Sequence, residues 1–311
     1  MVKEAPKEPL QDMDDISSDE MIVRKKKAPE KKTGVTPASV LKTAAEALVA
    51  LRAKRPLVHC LSGHVAAHFS ANALLALGGS SAMVEDMSEI PPFVKKADSL
   101  LVNTGTVTKA QTEAMRAAVS HANMNGKPWL LDPVAVGVLP LRTFIAKELM
   151  RRFPAIIRGN ASEILFLAGN ETSMCHGVES TASSDQTIVQ ATRLSGVTRA
   201  AVLVTGATDY VAGEGAPVVA ISNGSPMMTR VAGIGTAQGA FGAAFLGALG
   251  SKARWEAALA TALVTAIAGE LAAAKTSAPG SYQIAFLDAL AAIKPDDIVK
   301  RGHVKLIERA P

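Results

Sequence analysis

Short, nearly unbroken apolar runs alternate along the chain with longer stretches whose apolar residues recur every three or four positions. From Thr36, Val40, Leu41, Ala44, Leu48 and Leu51 fall on one face of a helix, with Pro37 at its first position. Leu57–Leu61 reads as a buried strand. Val65–Leu77 reads as a second helix, stopped by Gly78-Gly79. Ser81–Val84 and Ser99–Asn103 are strands, and Thr108–Asn125 is a helix ending at Gly126. Trp129–Pro133 is a strand closing on the acid Asp132, and Ala155–Arg158 is another, running into Gly159-Asn160-Ala161-Ser162-Glu163 and a short helix. Ala200–Gly206 is the clearest strand. Asp209–Ala212 and Val218–Ile221 form an antiparallel pair across Gly213-Glu214-Gly215, and Trp255–Lys275 and Gln283–Ile293 are helical.

Strands with no polar side alternating with helices predict an α/β fold, a mostly parallel sheet with helices on both faces. Ligands of such sheets bind beyond the carboxyl ends of the strands. That edge here carries Asn103-Thr104-Gly105-Thr106, Asp132-Pro133, Arg158-Gly159-Asn160 and Thr205-Gly206. Residues 1–34 differ: they hold eight bases and eight acids, three prolines and no period, which predicts a disordered charged tail. Arg24-Lys25-Lys26-Lys27 has the composition of an address or an anion contact, although a solvated tail is the simpler reading. Residues 35–311 then form one domain. The net charge of +5 is a mild excess for 311 residues and does not argue for nucleic acid. Two cysteines, Cys60 and Cys175, suggest neither a disulfide framework nor a cysteine-rich zinc site and fit a reducing, cytoplasmic compartment. No uninterrupted apolar run reaches membrane-spanning length, since the helical run Phe241–Leu249 is too short and is stopped by Gly250-Ser251-Lys252.

The chemistry concentrates on Arg230-Val231-Ala232-Gly233-Ile234-Gly235-Thr236-Ala237-Gln238-Gly239-Ala240, a glycine-punctuated turn feeding a helix. Free amides at the positive end of a helix bind anions, and Gly233 and Gly235 let backbone approach a phosphate. Alone, such a turn also serves as a plain connector. Asp132 and Glu163 sit at or just past strand ends, where they could meet around one Mg²⁺, which takes oxygen ligands and keeps waters. Taken singly, Asp132 is also a turn cap and Glu163 a first-turn helix acid. Arg158 adds a planar fork for phosphate, and Thr205 stands where a nucleotide could be accepted. A metal, a cationic clamp, oriented amides and an acceptor are the parts phosphoryl transfer needs. His59, His64 and His68 lack a further ligand at zinc spacing; His64 and His68 share a helix face in a capping or polar role.

Pro56–Cys60, Ser70–Gly78, Leu131–Val134, Arg158–Glu163 and Val204–Val211 come in the order and near the spacing of the hydroxyethylthiazole kinase family, which the chain resembles from about residue 36 to 275. The resemblance implies a ribokinase-like fold and a homotrimer with sites between subunits. It also implies transfer of the ATP γ-phosphate to the primary alcohol of 4-methyl-5-(2-hydroxyethyl)thiazole in thiamine salvage, with Mg²⁺. It implies that Met83 lines the thiazole pocket, Arg158 and Thr205 bind ATP, Asp132 and Glu163 serve Mg²⁺ and its waters, and Gly233 contacts substrate. The amides from Gly233 to Thr236 would form the anion hole. Two positions depart from the family pattern. Thr236 stands where the family usually has a cysteine proposed as base, which predicts slowed turnover, since a threonine hydroxyl is hardly ionised near neutral pH. Gly63 stands where the family tends to have asparagine near the thiazole. Ala135, usually glycine, and His68, usually asparagine, add to the divergence. A kinase of the same fold acting on another small alcohol, and a silent thiazole- or nucleotide-binding member, are the other readings.

Overall fold

The computed structural model describes residues 34–169 and 187–307. The readings made for residues 1–33 and Cys175 lie outside them. The first helix, α1 (Pro37–Lys54), begins where its cap dictates: Thr36 Oγ1 accepts the Ser39 amide while Ser39 Oγ accepts the Thr36 amide. The chain continues through β1 (Leu57–Leu61), α2 (His64–Leu77), β2 (Ser80–Ala82), α3 (Ile90–Lys96), β3 (Ser99–Asn103), α4 (Lys109–Met124) and β4 (Trp129–Asp132). Next come α5 (Pro140–Met150), β5 (Ile156–Asn160), α6 (Ala161–Leu167), α7 (Ile188–Thr198), β6 (Ala201–Thr205), β7 (Asp209–Ala212) and β8 (Val218–Ile221). A 3-10 turn, Pro226–Arg230, leads to α8 (Ile234–Leu249), α9 (Arg254–Ala273), α10 (Pro279–Ala292), α11 (Pro295–Arg301) and β9 (Val304–Ile307).

The described strands form one sheet in the order β2-β1-β3-β4-β5-β6-β7-β8-β9. Neighbours from β2 through β6 run parallel, and β7, β8 and β9 each run antiparallel to the strand before them. Alternate residues feed two cores. Val58, Cys60, Leu101, Leu130 and Ile156 pack under α1, α2, α8, α9 and α10. Leu100, Val102, Leu131, Ile157 and Val202 pack under α3 to α7. Strands apolar on both sides are what a sheet covered on both faces requires.

Two readings change. The helix anticipated over Phe241–Leu249 starts seven residues earlier, at Ile234, so the glycine turn is the helix's own first turn. By length and composition α9 is apolar enough to cross a membrane, although Arg254, Glu256 and Glu270 keep it from being one unbroken apolar run. It is a core helix packed against α1, α8 and α10, with 78% of its most apolar stretch buried.

Candidate active site

Because β1 and β3 to β6 are parallel, their carboxyl ends share one edge. From β1 the chain passes over one face through α2 to β2, then returns over the other through α3 to β3. The crevice between β1 and β3 is therefore a topological switch point. Here Gly63 caps α2, with the Gly105 carbonyl and the Thr106 hydroxyl filling the place of a side chain. A cavity of about 330 Å³ opens beside it, lined by His64, Glu85, Thr108 and Gln111 among others. Met83 follows β2, half-buried against the α2-side core.

Asp132, the last residue of β4, is fully buried. Its strand neighbour Asn103 donates Nδ2 to Oδ2 at 2.7 Å, and Arg158 Nη1 reaches Oδ1 at 3.3 Å and Oδ2 at 3.5 Å. Burial pushes its pKa up, and Arg158 and Asn103 partly offset that. Glu163 is set by the start of α6. Asn160 Oδ1 accepts the Glu163 amide, and Glu163 Oε2 accepts the Asn160 amide at 2.8 Å, a reciprocal cap. Its Oε1 accepts the Ala135 amide at 2.9 Å. Ala135 holds φ +58°, a left-handed backbone that glycine adopts without strain. Burial, then the nearby Asp132 carboxylate, raises Glu163 to about 7. A third carboxylate, Asp209 at the start of β7, accepts the Gly206 amide at 3.0 Å and is raised by burial to about 6.

Arg158 is the cation these acids share, lowering the pKa of each. Its Nε donates to Gln238 Oε1 at 3.0 Å and its Nη1 to Asp132. Nη2 has no acceptor among the described residues and lies where a Cβ on Gly235 would stand 3.2 Å away. Glycine at residue 235 lets the guanidinium lie against the helix backbone without being displaced. One helical turn on, a Cβ at Gly239 would stand 3.3 Å from Asp132 Oδ2. The start of α8 therefore lies directly against the arginine and the acid.

Gly233 caps α8 with φ +95°, and any Cβ there would also crowd Phe69 and Ala66 of α2. The first intrahelical bond is Ala237 N–H to the Gly233 carbonyl at 2.8 Å. The amides of Ile234, Gly235 and Thr236 precede it and point out of the helix end. Thr236 is half-buried in that first turn. Thr205 ends β6 opposite Asn160, its hydroxyl donating to the Gly159 carbonyl at 3.3 Å. Of the residues singled out in the sequence, Asp132, Glu163, Arg158, Gly233, Gly235 and Thr236 thus form one cluster, with Thr205 on its β6 side. Gly63 and Met83 lie on the β1–β2 side, joined to the cluster through α2.

Three members, Asn103, Asp209 and Gln238, have no site role in the sequence reading, although it places Asn103 on the ligand-binding edge. Gln238 carried a signal, being the one polar chain in a run of small and apolar residues, and a buried amide must be partnered. The histidines serve elsewhere. His59 is buried, with Nε2 2.7 Å from the Val84 carbonyl and its ring edge-on to Phe93, and burial lowers its pKa. His64 starts α2 in the position after its cap, and His68 pairs with Asn72 at 3.1 Å. Among the described residues no group of three His, Cys, Asp or Glu could hold a metal ion.

Against known proteins, residues 48–296 match the model of the hydroxyethylthiazole kinase family. The chain belongs to that family. A hydroxyethylthiazole kinase of Granulibacter bethesdensis is 48% identical over 246 residues, covering 79% of this chain and 88% of that protein. The solved structure of a hydroxyethylthiazole kinase protein from Pyrococcus horikoshii OT3 superposes with a TM-score of 0.78 at 31% identity, covering 86% of this chain and all of that one. A ribokinase-like superfamily protein from Enterococcus faecalis V583 shares the fold alone, with a TM-score of 0.57 at 11% identity over 82% of this chain and 94% of its own. The ribokinase-like fold is thus established, and membership of the family brings ATP-dependent phosphoryl transfer.

Proposed function

We propose that the protein transfers the γ-phosphoryl group of ATP to the primary hydroxyl of 4-methyl-5-(2-hydroxyethyl)thiazole, in thiamine salvage. The observation that carries this reading is the placement of Arg158. Its uncommitted Nη2 faces the first turn of α8, whose amides have no helical partners, so two anion-binding devices converge on one spot.

The residues around it fit Mg²⁺. Three buried carboxylates face one guanidinium, so their ionised form leaves net negative charge for a cation to neutralise. Asp132 and Glu163 would hold it through its waters, because their oxygens already accept donors and, among the described residues, no third His, Cys, Asp or Glu groups with them as a ligand, Asp209 lying on the far side of Arg158 and Gln238. When bound, Mg²⁺ supplies charge neutralisation on the ATP phosphates.

The chain's own groups do the rest. Thr205, at the edge beside Asn160, holds the nucleotide side. Arg158 and the amides of Ile234, Gly235 and Thr236 orient the γ-phosphoryl group and stabilise charge on its oxygens. Met83 and Gly63 line the alcohol's pocket at the switch point. The alcohol oxygen attacks phosphorus in line, and the bond from phosphorus to the β–γ bridging oxygen breaks with its electron pair leaving on ADP. The alcohol proton departs late to a phosphoryl oxygen, a route the loose transition state leaves open, more slowly than to a thiolate. Thr236 positions that hydroxyl without deprotonating it. A kinase of the same fold acting on another small alcohol is favoured at a single point, Gly63, where Thr106 and Gly105 occupy side-chain space.

The test is ADP release with Mg-ATP and the thiazole alcohol, for wild type and Thr236→Cys. We expect slow turnover by wild type and a gain in kcat of up to about 10²-fold from the thiolate. No turnover by either protein, with no ATP binding by calorimetry, would refute the kinase reading. An unchanged rate in Thr236→Cys would refute the expectation that the missing thiolate slows turnover, while leaving Thr236 as a positioning group.

A further inference from the structure

We propose that Gln238 is a positioning residue for Arg158, anchored on its far side by Asp209. This rests on the kinase reading above. Gln238 lies on α8 three residues after Gly235, on the same face, and is 4% exposed. Its Oε1 accepts Arg158 Nε at 3.0 Å. Its side chain also interacts with the Asp209 carboxylate, and with Oε1 committed to arginine, the amide nitrogen is the group left for an acid. Asp209 in turn accepts the Gly206 amide at 3.0 Å, next to Thr205.

The chain of contacts therefore runs from the β6–β7 turn, through an acid and an amide, to the guanidinium. Arg158 needs it. Its bond to Asp132 is long and split over both oxygens, which fixes one nitrogen loosely. The Nε bond to Gln238 removes the remaining rotation and aims Nη2 at the Gly235 turn. Glutamine suits this place because it presents an acceptor to a cation and a donor to an anion at once. Glutamate would set a second carboxylate against Asp209, and an apolar residue would leave Arg158 Nε without its acceptor and Asp209 with only its backbone donor. The apolar residues that fill the rest of this buried helix would serve a purely structural position at least as well.

A double-mutant cycle tests this in the full-length protein. Gln238→Met keeps volume and helix propensity but removes both polar groups. We expect it to lower kcat/KM for ATP about 10- to 100-fold, as loss of alignment does, with KM for the alcohol unchanged. In an Arg158→Met background the same change should cost less than about twofold, because its effect passes through the arginine. Asp209→Asn is the second variant should Gln238→Met fail to fold, and its smaller loss should vanish in the same background. Affinity for a non-hydrolysable ATP analogue, measured by calorimetry, should follow the same cycle without turnover. Equal losses with and without Arg158, or wild-type kcat/KM in Gln238→Met, would overturn the positioning role while leaving the kinase reading intact. Wild type that neither turns over nor binds the analogue would overturn the kinase reading, and this role with it.

Discussion

Glu163 is held by two backbone amides, yet burial and Asp132 keep its proton affinity high, near pH 7. In the unfolded chain a glutamate titrates at about 4.3. The folded state therefore binds this proton more tightly. The stability it contributes is fully present below about pH 4 and is lost as pH rises through about 7. Without divalent metal, melting temperature should fall by roughly 5 °C between pH 5 and 8, and Glu163→Gln should flatten that slope. Added Mg²⁺ should raise the melting temperature at pH 8 more than at pH 5.5, because protonation competes with it. Calorimetry over this range checks both, and equal slopes in wild type and variant would contradict the assignment. At this scale the sequence was legible where a residue's type alone announces chemistry: Asp132, Glu163 and Arg158. It was opaque where the role depends on who stands opposite. Nothing in a one-dimensional reading sets Asn103 beside Asp132, since that pairing comes from the register of β3 on β4. Ala135 departs from an expected glycine, and its left-handed backbone explains why glycine suits the place.

Among the elements, α8 decides the geometry. Its glycines let it lie closer to the sheet than a helix with side chains on that face would. Gly242 shows this best, since a Cβ there would come within 2.5 Å of Leu130 Cδ1 in the core. Gly242→Ala should therefore destabilise by about 1–3 kcal/mol through overpacking, despite the helix propensity of alanine. Urea unfolding measures it, and a more stable variant would contradict the close packing. The elements legible in the sequence were those with strong local signals: the capped start of α1, the apolar β6, the glycine stops after α2 and α4. Others escaped for physical reasons. In α3 the two prolines, Pro91 and Pro92, stand in a first helical turn, which tolerates them but gives no helical signal. In α7 the β-branched Ile188, Val189, Thr192, Val197 and Thr198 blur the helical period. In β9 only four residues alternate, on a half-exposed edge.

At the scale of the molecule, parallel strands bring residues from positions 63 to 236 to one edge, and that convergence was readable from the alternation of elements alone. We propose the homotrimer the family resemblance implies; Val65 and Leu75 of α2 and Met87 beyond β2 are exposed apolar residues that such an assembly could cover. Sedimentation equilibrium should return three times the 32.2 kDa chain, and the protein cut to residues 35–311 should assemble and melt as the whole does. A monomer, or a lower melting temperature on truncation, would contradict these two proposals respectively.

On the function proposed above, phosphoryl transfer takes place where Arg158 meets the first turn of α8. Phosphorus NMR of a reaction holding Mg-ATP and the thiazole alcohol tests it most directly, because it reports the product itself. Wild type should build up a phosphate monoester in step with ADP, and Arg158→Met, folded and assembled as before, should form at least about 10²-fold less. A wild-type reaction with no ester, or ester formed at the wild-type rate without Arg158, would contradict the account.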